Sequence, residues 1–144
     1  MIYRSRSGQS LVEVVVATGI AMLILAALVA GAVISVRNSQ FSRTKARAMQ
    51  LSREAAEWLR GERKGSWSEF TNHGGKYCLN ILDFGTPGNC LTKLDDQFTR
   101  QVVLTFTDEN NDGTDDKVEI KVTTSWTDSN GNHSEEVITY LTKW

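Results

Sequence analysis

An apolar run with one acid at its start constrains this chain more than any other feature. Leu11 and Val12 are followed by Glu13, and from Val14 to Val36 no charged residue occurs. As an α-helix, Leu11–Val36 measures about 39 Å, enough to cross a bilayer with some tilt. A carboxylate in hydrocarbon is costly unless it is paired. Glu13 therefore needs a partner, and that partner's identity points to the function.

The segment before the run is short and basic. Met1–Ser7 carries Arg4 and Arg6 and leads into Gly8. An ordinary secretory signal places its small-residue cleavage site after the apolar stretch. Here the small residue stands before it, so cleavage at Gly8 leaves the whole helix on the mature protein. Arg4 and Arg6 hold the leader on the cytoplasmic side, which puts the downstream domain outside.

Gly8-Gln9-Ser10-Leu11-Val12-Glu13 resembles the processing site of type IV prepilins and of type II secretion pseudopilins. The resemblance implies a membrane-embedded prepilin peptidase that cuts between Gly8 and Gln9 and methylates the new amine on Gln9. It makes Glu13 the family's signature acid. It also implies other pilin subunits and a pilus or secretion assembly platform as partners. Two departures stand out: Gln9 occupies a position usually held by phenylalanine, and no proline kinks the helix, which has only Gly19 and Gly31 to loosen it. The resemblance is specific over the first 60 residues and extends to the rest only in layout.

The length of 144 residues allows one small domain beyond the helix. Charge divides unevenly: residues 1–60 sum to +5 and residues 61–144 to −6. An acidic domain is a poor nucleic-acid binder, since binding DNA requires neutralising its phosphates; no nucleic acid is expected at the head. Arg37, Arg43, Lys45 and Arg47 follow the apolar run and read first as a solvated helix face.

Phe41, Ala48, Met49, Ala55, Ala56 and Leu59 recur at spacings of three and four, so the helix continues amphipathically past Val36. Glu57 and Gly61, with Gly65 beyond, punctuate its end, and Gly61 reads as the C-terminal cap. The expected organisation is a leader over 1–8, a transmembrane and amphipathic helix over 9–60 and a globular head over 61–144. From Gly61 to Leu94 the sequence is irregular and holds both cysteines, Cys78 and Cys90. Two cysteines in one small external domain are expected to pair. No Cys-x-x-Cys occurs, and His73 and His133 read as solvated loop residues.

From Phe98 onward the pattern has period two. Val102, Leu104 and Phe106 share one strand face; Val118, Ile120, Val122 and Trp126 share the next; Val137, Thr139 and Leu141 mark a third. Asn130-Gly131 between the last two reads as a hairpin turn. The fold class expected is α+β and pilin-like: a long N-terminal helix packed against a small antiparallel sheet, a meander of three strands or more.

The first hairpin connection, Asp108 to Glu119, fits the calcium-loop pattern D-x-[DN]-x-[DN]-G-x5-E. The candidate ligands are Asp108, Asn110, Asp112, Thr114 through its carbonyl, Asp116 and Glu119, with calcium as the cofactor. Glu119 falls on the strand face opposite Val118 and Ile120, which makes Asp116 the better final carboxylate. The competing reading is an ordinary Asp/Asn/Gly turn, polar because it is exposed.

Nothing in the motifs supports catalysis: no Gly-x-Ser-x-Gly, phosphate-binding loop, His-Glu-x-x-His or Cys/His dyad occurs. The sequence reads as a minor structural subunit of a type IV pilus or pilus-like filament, single-pass in the cytoplasmic membrane with its head outside. Assembly would place it in an extracellular or periplasmic filament. The alternatives are a pseudopilin of type II secretion or DNA-uptake machinery, and a membrane-anchored calcium-binding domain that does not polymerise.

Overall fold

The structure is a computed structural model that describes residues 7–85 and 87–143. The leader residues Met1–Arg6, with Arg4 and Arg6, and the terminal Trp144 lie outside the described residues. The chain separates into two compact units, Met1–Arg43 and Thr44–Trp144.

Helix α1 runs over Ser7–Gly65 and supplies the described part of the first unit and the first element of the second. It passes Gly61, where the end was expected, for two reasons. A glycine inside a helix costs only about 1 kcal/mol, and Glu62, Arg63 and Lys64 continue the turn, the last two favourably placed against its C-terminal carbonyls. Ser66 then breaks the helix and caps the next one: its hydroxyl accepts the Glu69 amide at the start of α2 (Trp67–Phe70).

A single 3-10 turn, Thr71–His73, leads to β1 (Gly75–Cys78), followed by β2 (Thr99–Thr107), β3 (Lys117–Asp128) and β4 (Gly131–Thr142). The four strands form one antiparallel meander in the order β1-β2-β3-β4. β1 lies in the segment expected to be irregular; its four residues are too few to display an alternation.

The longer strands alternate as read. On β3, Val118, Ile120, Val122, Thr124 and Trp126 are all buried. In register beside them are Leu104 against Ile120 and Val102 against Val122 on β2, with Val137 against Val122 on β4. From α1, Ala48, Leu51, Ala55, Ala56 and Leu59 close this face. The alanines let helix and sheet approach closely, and each fully buried Leu, Ile or Val contributes about 1.5–3 kcal/mol. Ser52 is the one polar residue of that helical stripe to be fully buried, and its hydroxyl meets that of Thr124 at 2.7 Å.

In the β3–β4 turn, Gly131 alone carries a positive φ, +124°, with Ser129 and Asn130 outside that region. The Asp128 carboxylate accepts the Asn130 amide at 2.7 Å, so a side chain, not two left-handed residues, shapes the turn. The histidines are less exposed than expected. His73 stacks on Phe84 with ring centroids 4.0 Å apart, and His133 sits in β4, stacked on Trp126 and 2.9 Å from Asp128 Oδ1.

Candidate functional site

In the first unit one helix is long and apolar enough to cross a membrane. Its most apolar 18-residue window has a mean hydropathy of 2.6, and 0 % of that window is buried. Leu11, Met22, Leu23 and Leu28 are each more than 60 % exposed. Thr18 spends its hydroxyl within the helix, donating to the carbonyls of Val14 and Val15 at 2.9 and 3.0 Å. Glu13 is exposed on this surface, beside Val12, Val16, Ala17 and Ile20. Gly8 and Gln9 have helical backbone, continuous with the rest of α1. Helical geometry also persists through Gly19 and Gly31.

In the second unit Cys78 and Cys90 are joined, with Cα atoms 4.9 Å apart. The bond closes the loop that follows β1. Within it, the Gly88 amide donates to the Lys76 carbonyl at 2.7 Å and Lys76 Nζ donates to Asn89 Oδ1 at 2.7 Å.

The β2–β3 loop arranges its polar side chains around its own backbone. Asp108 accepts the amides of Asp112 at 3.3 Å and Gly113 at 2.9 Å. Asn110 Oδ1 accepts the Asp112 amide at 3.0 Å, and Asp112 Oδ1 accepts the Thr114 amide at 2.8 Å. The Thr114 hydroxyl donates to the same oxygen and, with that amide, holds the Asp112 carboxyl below its ordinary range. Asn111 and Gly113 take positive φ, 57° and 87°, which lets the chain fold back over these side chains.

The six expected calcium ligands are only partly gathered. Asp108, Asn110 and Asp112 converge on neighbouring amides. Asp116 is tied at its backbone, its amide donating to Thr107 and its carbonyl accepting from Lys143. Glu119 lies on β3, where its carboxylate accepts the Tyr140 hydroxyl at 2.8 Å and pushes that phenol's pKa up. Among the described residues, no group of three or more His, Cys, Asp or Glu side chains is placed to hold a metal ion.

One residue that strand periodicity placed inward was not singled out: Arg100, between Phe98 and Val102 on the buried face of β2 and only 2 % exposed. Its Nε donates to the Leu79 carbonyl at 2.7 Å; one terminal nitrogen reaches Leu51 O at 2.9 Å and Glu54 Oε2 at 3.0 Å. Burial pushes the guanidinium's pKa down, and Glu54 partly restores it. The alternation Phe98, Arg100, Val102, Leu104 was the signal that could have found it.

No family model matches the chain, and neither a curated protein nor a solved structure matches it.

Proposed function

We propose that this protein is a minor structural subunit of a type IV pilus or pilus-like filament, held in the cytoplasmic membrane by the apolar part of α1. The observation that carries the reading is the apolar helix itself, 0 % buried over its most apolar window and bearing Glu13 as its only acid before Glu54. Such a surface needs lipid or other helices around it, and its carboxylate needs a cation. Cleavage between Gly8 and Gln9 would create that cation. The new amine, methylated by the prepilin peptidase, lies four residues from Glu13. Across two adjacent helices the same pair neutralises both charges and fixes the axial register. The Cys78–Cys90 disulfide supports an external, oxidising location for the sheet-bearing unit.

Intact-mass measurement of membrane-extracted protein tests the reading. The expected species lacks Met1–Gly8 and carries a methylated Gln9. Retention of the leader in cells that contain a prepilin peptidase would favour a plain, non-polymerising anchor. Pilus and secretion or DNA-uptake machines separate by gene neighbourhood: an assembly ATPase beside a retraction ATPase, or beside secretin genes.

A further inference from the structure

The cations of helix α1 differ in what they face. Over residues 37–53, Arg37, Arg43, Lys45, Arg47 and Arg53 occur without an acid, the next being Glu54. In the second unit Lys45 and Arg47 are paired with acids of that same unit, Glu135 at 3.1 Å and Asp95 at 2.8 Å. In the first unit Arg37 and Arg43 are exposed and form no ion pair among the described residues. The one acid described in that unit, Glu13, lies about 36 Å from Arg37 along the helix. No protein anion is at hand for either guanidinium.

We infer that Arg37 and Arg43 bind the phosphate groups of anionic phospholipids. Position along the chain selects this occupant. Arg37 is the residue next to Val36, where the exposed apolar run stops. A helix that has crossed about 30 Å of hydrocarbon delivers its next residue into a headgroup layer about 5–8 Å deep. Arg43 follows six residues later, about 9 Å further along the helix. Helical side chains lean toward the N-terminus, here back toward the apolar run, and a long arginine stem carries its head into the same layer. About 120° of turn separates the two positions, so they meet different lipids. Each planar guanidinium fits a phosphate with two parallel hydrogen bonds. The site rests on the membrane-anchored reading of α1, and on neither cleavage nor filament assembly.

The full chain in vesicles of phosphatidylglycerol and phosphatidylcholine in equal parts tests the site. A trace of either lipid, spin-labelled on the acyl chain close to its headgroup, reports by electron spin resonance which one the protein immobilises. Wild type should immobilise phosphatidylglycerol about fivefold over phosphatidylcholine. The preference should fall toward parity in about 1 M salt, where charges are screened within about 3 Å. The double variant Arg37→Gln/Arg43→Gln should lose it. Arg53→Gln, which removes an exposed arginine well past Arg43 on the same helix, should keep it. No preference in the wild type would overturn the inference and leave the two arginines to solvent or to acids of a second copy. Equal loss in Arg53→Gln would overturn it as a mere effect of net charge. Alkaline extraction of the vesicles separates this site from the anchor reading. A chain that resists extraction yet shows no preference refutes the lipid site alone, whereas one that is extracted refutes the anchor as well.

Discussion

Arg100 on β2 donates to the Leu51 carbonyl of α1 at 2.9 Å from a position only 2 % exposed. The same side chain binds Leu79 next to the disulfide, so one guanidinium ties together the helix, the sheet and the segment after β1. Its planar fork suits this task better than an ammonium group would. Replacement by methionine keeps the bulk but abandons these acceptors. Glu54, 54 % exposed, can turn to water. Arg100→Met should therefore destabilise the second unit by about 2–3 kcal/mol, and Arg100→Lys by less. Denaturant unfolding followed by tryptophan fluorescence measures both.

The Cys78–Cys90 bond closes a loop of eleven intervening residues, a constraint worth roughly 3 kcal/mol in the unfolded chain. Non-reducing peptide mapping should recover the two cysteines linked. Replacing both by serine should lower Tm without changing the helical content of α1. Quantitative alkylation of both thiols without reductant would contradict the pairing.

Acid should weaken the second unit through two turn carboxylates. Thr114 holds Asp112 below its ordinary range, and the Asn130 amide, followed by His133, does the same for Asp128. A depressed carboxyl contributes stability above its unfolded value that is lost as pH falls through the folded one, here below about pH 4. The Asp112→Asn and Asp128→Asn variants should each flatten the acid limb of a Tm-against-pH curve. An unchanged slope in the double variant would count against these hydrogen bonds.

The calcium proposal for the 108–119 loop has its own test. If Asp108, Asn110 and Asp112 turn from amides to a cation, millimolar calcium should raise Tm, and Asp112→Ala should abolish the rise. Glu119→Ala should retain it, because Tyr140 already engages that carboxylate. No thermal shift and no heat in calorimetry would leave the loop a hydrogen-bonded turn.

Much of the fold was legible because it rests on periodicity. The stripe Ala48, Ala55, Ala56, Leu59 and the alternation Val118, Ile120, Val122 each require one face to be apolar, and the sequence displays that requirement directly; of the other two residues read into the stripe, Met49 is half-buried and Phe41 is 37 % exposed. The fourth strand was not legible: Gly75–Cys78 is fixed by its pairing with Gln101–Leu104, a non-local relationship with no signature in four residues. Of the two glycines that punctuate the helix end, Gly65 and not Gly61 is the last helical residue, because a glycine ends a helix only when the residues after it cannot continue. At the loop, the spacing Asp108, Asn110, Asp112 serves a cation site and a self-capped turn equally well. The structure shows these side chains bonded to the loop's own amides and Glu119 accepting the Tyr140 hydroxyl, and a cation would draw on the same oxygens.

In the filament proposed above, Glu13 locks neighbouring helices in register. Glu13→Ala should leave membrane insertion and cleavage after Gly8 largely intact, since it makes the helix more apolar and does not touch the scissile bond. Filaments sheared from cells expressing wild-type or mutant protein, probed for this chain and normalised to its membrane level, measure incorporation directly. The mutant should be strongly depleted from the filament fraction. Incorporation of Glu13→Ala at the wild-type level would contradict it.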